Sequence, residues 1–262
     1  IAGYKYLRRA YTDSAAAGTA MATGTKTYNQ AIGYSNMNEP LTNITQIAHA
    51  RNKATGVVTS VQVSHATPSA FSAHSPSRYD MVALAKDQLT NGYVDLLIGT
   101  GHPEYDNNGI RVAGMSEAEC AAVSCNWWDV QNPESTIGAS EWQALKAGSL
   151  TRSGAALPNY LITSKAEFEA LAAGDLPADL AAGQPLVGIP EVRSTLQQGR
   201  NKAAVGADGT QPSGIKLIQG VPDLATLSTG ALNYLASGVT PNLRLDLIAD
   251  AQAELARTES MQ

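Results

Sequence analysis

The chain has 262 residues, 44% of them hydrophobic and 16% charged, with a formal net charge of −5 and a pI near 5.4. That length suffices for one large domain or two small ones. Scattered Lys and Arg without a basic stripe exclude a nucleic-acid footprint, and no apolar run approaches the roughly 18 residues of a membrane span, so a small partner fits best.

The first residues, Ile1 to Arg9, have neither an initiator Met nor the layout of a signal peptide, so the chain reads as starting inside a longer sequence. Next comes Thr12-Asp13-Ser14-Ala15-Ala16-Ala17-Gly18, whose small residues predict a helix from about Ser14 to Ala22 with Asp13 and Ser14 at its N-terminus. Unpaired N–H groups and the helix dipole favour an anion there, which makes Ser14 a candidate phosphate-facing nucleophile; helix capping alone accounts for the two residues equally well. From Leu41 to Ala50, the residues Leu41, Ile44, Ile47 and Ala48 share one helical face, with His49 toward solvent. The β-branched run Val57–Val63 predicts a buried strand. His65 and Thr67 follow at its C-terminal end, where open α/β sheets bind ligands. Thr67 before Pro68 reads as the N-cap of a short helix to about His74, and Arg78 lies just beyond.

A helix over Tyr79–Leu89 and a strand over Tyr93–Gly99 complete the regular alternation. Gly99-Thr100-Gly101 lacks the third glycine and helix of a dinucleotide fingerprint and reads as a tight turn. From about 102 to 158 the alternation lapses into a surface excursion holding Trp127, Trp128 and Trp142, which shape a rim or subunit contact or else form local core. Cys120 and Cys125, five apart, suit a small disulfide-closed loop in an exported protein; free thiols are the alternative, and a zinc knuckle does not fit. Strands are predicted at Tyr160–Thr163, Pro185–Ile189 and Ile215–Ile218. Ser164 and Glu167 have capping-box spacing, and helices run over Asp223–Leu235 and Leu243–Arg257. The expected fold is a single α/β domain over 1–262, a mostly parallel sheet covered by helices on both faces.

Acyl transfer by Ser14 would call for a Gly-x-Ser-x-Gly elbow, but Thr12 and Ala16 stand where the glycines belong. Metal-assisted phosphoryl transfer fits better, with the planar fork of Arg78 clamping phosphate oxygens and His65 and Thr67 near a cation. Taken singly, His65 reads as a strand-end histidine and Arg78 as a surface ion pair. Together, the segments Thr12 to Asn29 and Val63 to Arg78 resemble, in order, the nucleophile segment and second motif of the alkaline phosphatase family.

That resemblance implies a metal-dependent phosphomonoesterase in which Ser14 is phosphorylated and meets one of two zinc ions. Asp13 would orient Arg78, Arg78 would hold the phosphate, and His65 with Thr67 would serve a third metal site, making zinc and magnesium the implied cofactors. A small phosphate monoester would be the substrate, the location periplasmic or secreted, and the full-length protein a homodimer. The family's Gly-Asp-Gly strand has no counterpart before Ser14 and its later ligand motifs none before Gln262. The resemblance therefore implies an incomplete, internal part of such an enzyme, inactive alone. The alternative is a noncatalytic relative that binds phosphate or a phosphorylated ligand.

Overall fold

The computed structural model describes residues 11–196 and 218–238. The helix read over Leu243–Arg257 and the strand read at 215–218, apart from its last residue, lie outside them. The described elements are α1 (Ser14–Thr23), α2 (Ile44–His49), β1 (Gly56–Gln62), α3 (Ala66–Ala70), α4 (Met81–Thr90) and β2 (Leu96–Thr100), then α5 (Glu117–Ala122), α6 (Trp127–Gln131), α7 (Ala139–Lys146), β3 (Tyr160–Ile162), α8 (Lys165–Ala173), β4 (Leu186–Gly188) and α9 (Leu224–Ala236). No described helix is long and apolar enough to cross a membrane.

The four strands form one all-parallel sheet in the order β1-β2-β4-β3, with Val57 opposite Leu97, and Leu97 and Leu161 each opposite Val187. Alternation along the strands divides the core. Leu96, Ile98 and Leu186 face Phe168 and Leu171 of α8 and Leu227, Ala231 and Tyr234 of α9. Leu97 and Val187 face Ala85 and Leu89 of α4 and Trp142 and Leu145 of α7. A sheet buried on both faces is what continuous apolar runs such as Leu96-Leu97-Ile98 require.

Helix ends follow side-chain chemistry. Asp13, Asn43, Ser116, Ser164 and Asp223 each accept a backbone N–H at the start of their helix, and Ser164 with Glu167 forms the expected capping box. Two local readings change. In α2, Ile44 is 51% exposed while Thr45 is buried, because Leu41 precedes the Asn43 cap and the face read across it does not exist. Helix α3 starts after His65 and ends at Ala70, well short of His74, where Ser72 turns the chain and is held by Gln88 and Asn91.

Of the three tryptophans, only Trp142 is core; Trp128 lies exposed against Arg193, with the ring centroid 5.6 Å from the guanidinium carbon. The 102–158 stretch thus carries core of its own, with Ile137, Trp142 and Leu145 against the sheet. Cys120 and Cys125 are disulfide-bonded, closing the turn after α5.

Candidate active site

Helix α1 packs against α3 so closely that a Cβ on Gly18 would lie 2.9 Å from the Ala70 Cβ and 3.7 Å from the Thr67 Cα. Small residues along α1 permit this approach, which sets the helix that begins with Ser14 against the segment that follows β1. Ala15, Ile32, Ala66, Ala73 and Leu84 form the small buried cluster beneath.

Asp13 has two tasks. Its Oδ1 accepts the Ala16 N–H at 2.9 Å and caps α1, while Oδ2 accepts the Gln30 N–H at 3.1 Å and Arg78 Nη1–H at 3.2 Å. The same Arg78 Nη1 donates to Ser14 Oγ at 2.7 Å. Burial alone would push the Asp13 carboxyl up, but the N–H groups of Ala16 and Gln30 and the Arg78 guanidinium outweigh it and hold the carboxyl below its ordinary range. Asp13 thus caps α1 and holds Arg78 at once, and Ser14 stands first in the helix within reach of the same guanidinium.

Sequence reading did not anticipate Asn29 and Gln30. Asn29 Oδ1 accepts the Asp13 N–H at 3.1 Å. Gln30 sits at φ +80°, a left-handed conformation that costs a non-glycine residue free energy, and its carbonyl accepts the Arg78 N–H at 2.8 Å. No feature of the sequence marks a Gln for that conformation, since Gly or Asn would be its usual occupant.

Tyr11, Thr12, Asp13, Ser14, Asn29, Gln30, Arg78 and Tyr79 line one open cleft of ≈ 610 Å³. His65 and Thr67 lie beside it on the α3 side and are not part of its lining. The His65 ring has a lowered pKa, first through burial and then through the positive charge of Arg78, which favours the neutral imidazole with one ring nitrogen able to act as a ligand or acceptor. Neither side chain hydrogen-bonds another described residue. Among the described residues no group of three His, Cys, Asp or Glu is placed to hold a metal ion. One imidazole and one hydroxyl are too few for a zinc or magnesium centre by themselves.

The alkaline phosphatase family model matches residues 4–106. The chain is 46% identical over 84 residues to alkaline phosphatase 4 of Bacillus subtilis (strain 168), covering 32% of this chain and 17% of that protein. It is 41% identical over 100 residues to alkaline phosphatase 3 of the same organism, covering 36% and 22%. The matched stretch thus spans about a fifth of the length of these relatives. The crystal structure of Thermus thermophilus alkaline phosphatase superposes with a TM-score of 0.51 at 21% identity, over 87% of this chain and 36% of that one, a likeness of fold alone. Residues 4–106, which the alkaline phosphatase family model matches, include every residue that lines the cleft, and there the chain is similar to that family.

Proposed function

We propose that this chain supplies the nucleophile and phosphate clamp of a phosphomonoesterase that converts phosphate monoesters to alcohol and inorganic phosphate. The observation that carries this reading is the sharing of one Arg78 nitrogen between Ser14 Oγ and Asp13 Oδ2. In that position the guanidinium stabilises negative charge on Oγ and, when the ester enters, on the phosphoryl oxygens. Ser14 Oγ forms the new bond to phosphorus as the bond from phosphorus to the ester oxygen breaks, the Ser14 hydroxyl proton ending on the departing alcohol; water then attacks phosphorus, the phosphorus–Oγ bond breaks, and a proton of that water returns to Oγ as phosphate leaves. Asp13 keeps Arg78 aimed at that point throughout.

Zinc and magnesium belong to this reading through the family. His65 and Thr67 would provide one nitrogen and one oxygen toward a metal, with the remaining ligands coming from outside the described residues. The Cys120–Cys125 disulfide supports a secreted or periplasmic location, where such bonds persist.

The incomplete ligand set favours a second reading, a phosphate-binding relative without turnover. Titration of this chain with inorganic phosphate followed by 31P NMR tests the clamp: Arg78→Met should weaken binding at least about tenfold. Turnover of phenyl phosphate by the longest natural chain containing these residues, with Zn²⁺ and Mg²⁺ supplied, then separates the two. Loss of turnover in Ser14→Ala supports the covalent route, and undiminished turnover would sink it. Phosphate binding without turnover in the unsubstituted chain would establish the binder.

A further inference from the structure

The phosphate end of the cleft is defined, but its outer part is not yet accounted for. Tyr11 and Tyr79 are 69% and 72% exposed, and both line the cleft. Tyr11 precedes Ser14 by three residues, and Tyr79 directly follows Arg78. The backbone of each is tied down, with the Tyr11 carbonyl accepting from Asn29 Nδ2 at 3.4 Å and the Tyr79 N–H donating to Ser77 Oγ at 3.2 Å. Neither ring has a hydrogen bond or ring partner among the described residues.

Charge narrows what could sit there. The only ionic groups in the described lining are Asp13 and Arg78, already paired with each other at the phosphate end. The Asn29 amide is committed to Asp13 and Tyr11. A leaving group carrying a second phosphate or a carboxylate would therefore meet no further cation among the described lining residues. A flat ring would meet two aromatic faces held on fixed backbone, and the exposed Gln30 side chain beside them.

Building on the phosphomonoesterase reading, we infer that Tyr11 and Tyr79 form the leaving-group subsite and select esters of planar aromatic or heteroaromatic alcohols over alkyl phosphates. The test uses two non-hydrolysable probes, phenylphosphonate and methylphosphonate, titrated into this chain by calorimetry. Phenylphosphonate should bind about tenfold more tightly, a ratio in keeping with one or two ring contacts. Tyr79→Ala and Tyr11→Ala should each cut that ratio to about threefold or less, and Tyr79→Trp should retain it; because both side chains project into solvent, the melting temperatures should stay close to that of the unsubstituted chain. Equal binding of the two probes, or a ratio untouched by both Ala variants, overturns the subsite while leaving the phosphate clamp standing. Failure of both probes and of inorganic phosphate to bind overturns the clamp, and the subsite with it.

Discussion

His102 is buried at the end of β2 with its ring edge-on to Tyr105 and Trp142, each 4.6 Å away between centroids. Burial pushes its pKa down to about 4, against an upward pull from Glu104 and with smaller downward contributions from Lys146 and Arg111. Below about pH 6.5 the unfolded chain takes up a proton that the folded chain refuses until about pH 4, so His102 lowers stability progressively as pH falls through that window, by roughly 3 kcal/mol at most. Urea unfolding midpoints at pH 6.5 and 4.5 should therefore diverge less in His102→Phe than in the unsubstituted chain; an equal divergence would mean that another group is responsible. At this scale the sequence singled out Asp13, Ser14 and Arg78, which the fold brings within hydrogen-bond reach of one another, because their motifs are long. It did not disclose the burial of His102 or the backbone role of Gln30, both of which depend on neighbours brought from elsewhere in the chain.

Between elements, the contact of α1 with α3 sets where Ser14 stands. Gly18→Val would drive side-chain carbons into Ala70 and the Thr67 backbone, and the helices would have to separate. We expect a loss of about 1–3 kcal/mol in stability. Phosphate affinity should fall as well, since α1 bears both Ser14 and the Asp13 cap that holds Arg78; a variant that melts earlier yet binds phosphate normally would show that the helix contact does not position these groups. Element types were readable from the sequence wherever period and caps agreed, as in α8, with its Ser164 and Glu167, and β2, with its unbroken Leu96-Leu97-Ile98. They were misread where a cap fell inside the apparent pattern, as Asn43 does before α2, or where Thr67-Pro68 imitated a helix start already under way at Ala66.

Across the whole molecule, Arg193 fastens the 102–158 stretch to the chain beyond β4. Its guanidinium is buried, with Nε 3.2 Å from Asp129 Oδ1 and further bonds to the carbonyls of Asp129 and Asn132. Truncation as Asp129→Ala would leave that buried cation without its counterion, at an expected cost of about 3–5 kcal/mol measured by urea unfolding. A cost below about 1 kcal/mol would show that the two carbonyls and the Ser135 hydroxyl satisfy Arg193 without the carboxylate. Such a pairing was not legible beforehand: the partners stand 64 residues apart, and a lone Arg after a buried strand reads as a surface charge. The site has a comparable long-distance fastening in the single residue Gln30. Its N–H is held by the loop that precedes the nucleophile and its carbonyl by the loop that carries the arginine. The two loops are therefore not independent parts that happen to meet but one cooperative unit, so that opening either releases the other, and a bound oxyanion that steadies Arg78 would slow amide exchange at Gln30 and Arg78 together.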